Sequence, residues 1–423
     1  MIRIGIIGVG GFAANHHQAV QALENAGECR LVCGCDPDAT ALADAGVRLD
    51  FAGRGIRAYA DYREMLAAHK HELDVVTVPT PIPLHAPMHR ACVESGVACY
   101  LEKPPTLNPD ELEQMIAADA GARYAAQVAF NFIVEKPRRL LKARILAGEF
   151  GTLRRATFLG LWPRTLSYFL RNNWAGRLFW NDGRLVLDSC IGNAMAHFIH
   201  NLLFWTGTGD VSAFSTLREV QAELYRAHAI ETFDTCFVRA VCDSGAELRI
   251  AATHTGARSS RHEERVECDN ATIIYRTGNG YQILDRDGVE IERGANEPGM
   301  FVEENMRAYF AYLRSESPRP LTPLADARPF VHLNALAFVA SGSVTNLAPD
   351  QFQRVTLTEG GKEVEYLTAD GVRDACETFA RTGVFPADQG AVWARPGTRT
   401  ATSNGLWRLR PVCETILADL PSR

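Results

Sequence analysis

The sequence predicts an α/β fold: an N-terminal doubly wound parallel sheet, then a C-terminal α+β domain with an open, mostly antiparallel sheet. Three observations carry this. Short β-branched runs alternate with helical patterns through the first third of the chain, as βαβ units require. A glycine-rich loop, Gly8-Val9-Gly10-Gly11-Phe12-Ala13, joins the first of those runs to the first helical pattern. Farther on, strand patterns follow one another with few helices between them: Arg155 to Trp162, Thr235 to Cys242, Ala246 to His254, Arg265 to Cys268 and Thr272 to Tyr275. With 423 residues the chain is too long for one ordinary core, so two large units and an appendage are expected.

Composition narrows the function classes. A chain that is 47% hydrophobic and 22% charged reads as a soluble globular protein, and a net charge of -6 leaves no electrostatic footprint for nucleic acid or an anionic membrane. Small-molecule partners are expected. The opening run Met1 to Gly8 meets glycines after a few residues and reads as a buried strand rather than a secretory signal. No apolar run approaches the roughly 20 residues that span a bilayer, so no membrane partner is expected. The eleven cysteines are scattered, often in apolar runs such as Leu31-Val32-Cys33-Gly34-Cys35, and their only close pair lacks the two-residue spacer of zinc and redox motifs. They read as buried reduced thiols of a cytoplasmic protein, with no metal site.

Taken in order, Gly8, Gly10 and Gly11 let backbone approach a pyrophosphate, and Phe12 and Ala13 open the helix whose positive end receives it. The second strand, Arg30 to Cys35, ends at Asp36, placed to accept hydrogen bonds from the adenosine ribose hydroxyls. That favours NAD over NADP, whose extra phosphate the carboxylate repels; the alternative is that Asp36-Pro37-Asp38 is only a polar turn. Ala60-Asp61-Tyr62 reads as a capped helix start, and Leu73 to Pro79 as a strand covered on both faces. After Thr80-Pro81-Ile82-Pro83-Leu84-His85 come a helix to Ser95, a strand from Val97 to Leu101, and then Glu102-Lys103-Pro104-Pro105. Ligands of such sheets lie beyond the carboxyl ends of the strands, where Gly8, Asp36, Thr80 and Lys103 all fall.

The Gly8 to Ala13 loop, the Pro79-to-His85 segment and above all Glu102-Lys103-Pro104 resemble the Gfo/Idh/MocA oxidoreductases, a Rossmann-type family acting on sugars and cyclitols. The resemblance continues through Gln127-Val128-Ala129-Phe130-Asn131, which closes the nucleotide domain in such proteins, and covers about the first 345 residues. It implies cofactor contacts at Pro79, Thr80, His85, Glu102, Lys103 and Asn131, and a cis Lys103-Pro104 peptide. An exposed lysine is usually a solvated cation, but beside a nicotinamide an ammonium can stabilise an alkoxide as hydride leaves its carbon, and the family implies that role for Lys103. The resulting domains are 1–128 (NAD(P)-binding), 129–345 (substrate binding and oligomerisation) and 346–423 (an extension packed on the body).

In the second domain, Pro137 to Leu146 reads as an amphipathic helix, and Asp188 to Asn201, followed by Leu202 to Gly207, carries the polar constellation. Helical spacing puts Asn193, His197 and either His200 or Asn201 on one face. The bland reading is a pair of core histidines. The resemblance aligns His197 with the family's histidine and Asn193 with its aspartate, so His197 takes the acid/base role while Asn193, a neutral amide, can only orient substrate. Asp188 either supplies the missing carboxylate or caps the helix. Arg171, Asn173 and Trp174, in a stretch rich in donors with one flat ring, suit a sugar, or else form a structural loop; His200 joins them as a substrate contact. Ala257 to Arg265 carries both charges and reads as a solvated hairpin edge rather than an anion site. The last 80 or so residues hold one convincing helix, Asp370 to Thr382, and are too apolar for a disordered tail.

These expectations combine into an NAD(P)-dependent dehydrogenase of CH-OH groups on a sugar, sugar derivative or cyclitol. The alternatives are an NAD-dependent glycosidase using transient oxidation and a non-catalytic dinucleotide-sensing regulator. A homo-oligomer, dimer or tetramer, is expected because an exposed face of the second sheet usually finds a partner.

Overall fold

In the first strand, β1 (Ile2–Ile7), Ile2, Ile4, Ile6 and Ile7 are all buried, so both of its faces need cover and it must lie inside a sheet. The structure, a computed structural model, describes residues 1–11, 13–296, 299, 301–395 and 399–420. It divides into two compact units, Met1–Val134 with Gly299–Arg328, and Glu135–Pro298 with Pro329–Arg423.

In the first unit β1 is followed by α1 (Ala13–Asn25), β2 (Cys29–Cys35), α2 (Ala39–Arg48), α3 (Phe51–Arg54), β3 (Arg57–Tyr59), α4 (Tyr62–His69), β4 (Val75–Val78), α5 (His85–Glu94), β5 (Ala98–Leu101), α6 (Pro109–Ala120) and β6 (Gln127–Val128). Side chains fix where helices begin: Asp38, Asp61 and Asn108 accept backbone N–H bonds at the starts of α2, α4 and α6, the last with Pro109 in its first turn. The six strands are parallel in the order β3-β2-β1-β4-β5-β6, the predicted doubly wound sheet. The order reverses between β1 and β4, so the ends of these two strands, at Gly8 and Pro79-Thr80, form the switch point where ligands of this fold bind.

The second unit continues with α7 (Lys136–Leu146), β7 (Leu153–Leu161), α8 (Leu166–Leu170), α9 (Ala196–Thr206), β8 (Leu217–Arg226), β9 (Thr235–Cys242), β10 (Glu247–Thr253), β11 (Arg261–Cys268), β12 (Ala271–Arg276), β13 (Gly280–Asp285) and β14 (Glu290–Ala295). The chain then returns to the first unit as α10 (Phe301–Leu313), a segment expected in the second domain. Met306, Tyr309 and Phe310 join the core that holds Ile4 and Tyr100. The Tyr100 hydroxyl donates to Asn305 Oδ1 at 2.9 Å, Gln127 Nε2 to the Asn305 carbonyl at 2.7 Å, and the Tyr309 hydroxyl to the Ala125 carbonyl at 2.9 Å. The remaining elements are α11 (Leu324–Ser341), β15 (Thr345–Asn346), β16 (Phe352–Glu359), β17 (Lys362–Ala369), α12 (Val372–Thr382), β18 (Thr400–Ala401) and α13 (Leu409–Ala418). No helix among the described residues is long and apolar enough to cross a membrane.

The large sheet runs β14-β13-β12-β11-β7-β10-β9-β8-β15, with β18 on β8; only the β7–β10 and β8–β15 pairs are parallel. One expectation changes in part here. Residues 261–265 belong to β11, where Glu264 and Arg265 are paired on both sides and Glu263 and Glu264 are buried, so this end of the stretch is sheet, while 258–261 are exposed. Strand alternation splits β7 between two covers. Phe158 stacks on Phe198 of α9 at 4.9 Å, whereas Leu159 and Leu161 join Phe237 and Ala251 in a core with Val372, Phe379, Phe385 and Trp393. The C-terminal segment thus covers one face of the central strands with the chain's own side chains.

Candidate active site

The cofactor cradle is built by the turn after β1. Gly8 has φ +91°, and a Cβ there would come within 2.7 Å of the Thr80 methyl, so backbone strain and contact with the β4 end both require glycine. Gly11 has φ +54°, and its missing Cβ faces open space, which leaves backbone free for an approaching diphosphate at the start of α1. Asp36 is fixed on this loop: one carboxylate oxygen accepts from Val9 N–H at 2.9 Å and Gly10 N–H at 3.4 Å, the other from Asp38 N–H at 3.0 Å. Asn131, just after β6, is buried, and its side-chain oxygen has no hydrogen-bond partner among the described residues. A glycine cradle, a fixed carboxylate and an orphaned buried acceptor fit a dinucleotide. Ala13 is the first, buried residue of α1; Phe12 lies outside the described residues.

At the end of β5 the Lys103-Pro104 peptide is cis and Lys103 is partly exposed. Glu102 beside it is buried, with an oxygen 3.1 Å from Nε2 of the fully buried His16. Sequence reasoning passed over His16, whose only signal is its place in the helix after the glycine loop. His85 is also fully buried, with Nδ1 2.8 Å from the Pro104 carbonyl and Nε2 2.7 Å from the Thr80 carbonyl. Burial lowers its pKa, so a neutral ring donates through one nitrogen and leaves the other as a close approach. His85 therefore ties the loop after β4 to the Lys103-Pro104 turn, and both its nitrogens are occupied by backbone. Pro79 is buried at the end of β4, and the Thr80 hydroxyl reaches Met88 Sδ at 3.3 Å.

In the second unit the Asp188 carboxylate accepts from Gly176 N–H at 2.6 Å and from Asn193 Nδ2 at 2.8 Å. It does not cap the helix: Ser189 does so, accepting from Gly192 N–H at 3.0 Å. Because the Asn193 amide nitrogen donates to Asp188, its oxygen is turned away from that carboxylate. Cys190–Ala194 forms a single π-type turn, closed at Met195, so Asn193 and His197 stand on successive turns of different pitch, both partly exposed. His200 is not with them. It is fully buried, 4.4 Å from the Phe214 ring, and burial with the Arg138 charge lowers its pKa far below the ordinary value. Such a neutral core histidine is out of reach of substrate. Asn201 is buried as well and donates to Glu264 at 2.9 Å. Arg171 and Asn173 are exposed; the Arg171 guanidinium lies over the rings of Tyr168 at 3.8 Å and Trp174 at 5.4 Å.

Glu264 belongs to a buried network that residue patterns do not reveal. Fully buried Arg138 of α7 forms ion pairs with Glu264 of β11 and with Glu135, and Glu264 also accepts from Trp205 Nε1 at 2.6 Å. Burial opposes the charge on Arg138, but the carboxylates outweigh it and raise its pKa.

Residues 2–130 match the family described as "Oxidoreductase family, NAD-binding Rossmann fold", GFO_IDH_MocA. Over 147 residues the chain is 29% identical to a D-apiose dehydrogenase of Paraburkholderia graminis, covering 35% of this chain and 37% of that one. Over 159 residues it is 25% identical to a glycosyl hydrolase family 109 protein of Shewanella amazonensis, covering 36% and 33%. The match thus spans only about a third of the length of either relative. An oxidoreductase of Agrobacterium radiobacter, solved with NAD+, L-tartaric acid and magnesium, shares the fold over 80% of this chain and 96% of its own, with a TM-score of 0.66 and 17% identity. Residues 2–130, with their glycine cradle and the Lys103 turn, are thus similar to the NAD-binding Rossmann domain of the Gfo/Idh/MocA oxidoreductases.

Proposed function

We propose that the protein transfers a hydride between nicotinamide and a hydroxyl-bearing carbon of a sugar, sugar derivative or cyclitol. The observation that carries this reading is the Glu102-Lys103-Pro104 turn at the end of β5, in a domain of the NAD-binding kind. Bound NAD supplies the hydride acceptor. Gly8, Gly10 and Gly11 hold the pyrophosphate and Asp36 the ribose. The Lys103 ammonium holds the substrate oxygen, and the hydroxyl proton passes to His197 as hydride leaves the same carbon; Asn193, fixed by Asp188, orients a neighbouring hydroxyl. All eleven cysteines are unpaired, and ten are buried, which supports a cytoplasmic setting.

The test is NADH formation from NAD+ across neutral sugars, sugar acids and cyclitols. Turnover on at least one, absent from the His197→Ala variant, is expected; no turnover on any, with dinucleotide bound, sinks the reading. The similarity to a family 109 glycosyl hydrolase favours a second reading, transient oxidation during glycoside cleavage, which would release aryl aglycone without net NADH. Cofactor choice is tested separately. Asp36→Asn keeps an acceptor for the loop but removes the charge, and the NADP+ to NAD+ ratio of kcat/KM is expected to rise about tenfold, roughly 1.4 kcal/mol; an unchanged ratio removes Asp36 from that choice.

A further inference from the structure

We propose that the substrate carries an oxyanion, a carboxylate or a phosphate, and that Arg164 with Arg171 reads it. This rests on the hydride-transfer reading for the reaction but on separate observations for the charge. Arg164 lies just beyond β7, its N–H bonded to the His254 carbonyl at 3.1 Å, which sets it at the end of the paired strands β7 and β10. Its guanidinium lies 3.9 Å from the Trp162 ring centre and 4.4 Å from that of Tyr168. It is partly enclosed, Nε is buried without a hydrogen-bond partner, and no carboxylate among the described residues pairs with it. In the same unit Arg138, Arg155 and Arg249 each face a glutamate. A half-buried guanidinium without an anion forgoes the bidentate bonds that suit it.

The surroundings sharpen the reading. Arg171, whose Nη1 donates to the Tyr168 carbonyl at 2.6 Å, lies over the same Tyr168 ring without a carboxylate partner among the described residues, so a second cation stands beside the first. Burial and this neighbouring charge lower the Arg164 pKa, as expected for a cation in want of a counter-charge. Asp188, whose charge acts on Tyr168, is already engaged by Gly176 N–H and the Asn193 amide. His254 and His262 add no charge at neutral pH, since burial first and then Arg164 hold them at about 3 and about 4. Trp174, partly exposed beside Arg171, offers a flat ring for the C–H face of a sugar, leaving the arginines for its acidic group.

The test measures binding to the NADH-saturated protein by calorimetry, with glucose, glucuronate and glucose 6-phosphate as probes. At least one anion is expected to bind about tenfold or more tighter than glucose, and the two anions separate carboxylate from phosphate. Arg164→Met, which keeps the packing between the rings, is expected to abolish that advantage while NADH affinity and thermal unfolding stay unchanged; Arg164→Lys is expected to restore part of it. Failure of both anions to outbind glucose, or equal binding of the anion by wild type and Arg164→Met, overturns the inference. Anion binding that depends on Arg164 upholds it even where no sugar is oxidised, whereas oxidation of neutral and acidic sugars alike, unaffected by Arg164→Met, overturns it and leaves the hydride-transfer reading standing.

Discussion

Lys103→Met is expected to lower kcat about a thousandfold while leaving NADH binding and thermal unfolding close to wild type. The change removes one ammonium from a partly exposed position after β5 and keeps the length and apolar stem of the side chain. Little stability is therefore lost, and the dinucleotide cradle at Gly8, Gly11 and Asp36 is untouched. The charge that forms on a substrate oxygen as its proton departs loses its counter-ion, and positioned groups of this kind are worth roughly 10²–10⁴ in rate. Steady-state kinetics on the best substrate, with NADH fluorescence titration alongside, checks both halves. Turnover within tenfold of wild type would remove Lys103 from the reaction. A loss of NADH binding would instead assign the lysine to cofactor capture.

The second large effect is on stability. Arg138→Met in α7 leaves Glu264 and Glu135 buried without their cation, and breaking a buried pair from one side costs about 3–5 kcal/mol. Arg138 also lies 4.2 Å from the Tyr275 ring centre and 5.1 Å from that of Trp205, contacts that methionine retains only as packing. The double variant Arg138→Met/Glu264→Gln keeps an acceptor for Asn201 and Trp205 while removing one of the stranded charges, so it is expected to be more stable than Arg138→Met alone. Urea unfolding followed by tryptophan fluorescence makes the comparison. Equal stability of Arg138→Met and wild type would show that water reaches these carboxylates.

Much of the nucleotide-binding unit was legible because its signals are local. β-branched runs fix strands, Asp38, Asp61 and Asn108 fix helix starts, and Gly8 is demanded by a positive φ within a few residues of the strand it ends. The candidate site was legible in part. Asp188 and Asn193 are five residues apart and could be paired on paper, but the π-type turn between Ser189 and Met195 changed the pitch that helical counting assumed. His200 was misplaced for a different reason: periodicity says which residues share a face, not whether that face meets a cleft or Phe214.

The parallel sheet and the glycine cradle are written in a few consecutive residues whose backbone and side chains act on one another, whereas the role of Lys103 and its cis peptide were implied by a family resemblance. Only the tertiary structure decided what depends on partners far along the chain. It returned α10 to the first unit through Asn305 and Tyr309, and it paired Glu264 and Arg265 on both sides within a sheet. It also set Arg138 against Glu264 and covered β7 with the C-terminal segment. A charge or an apolar side chain shows in the sequence only that it needs a partner; which partner it gets is decided by the fold that brings the two within reach.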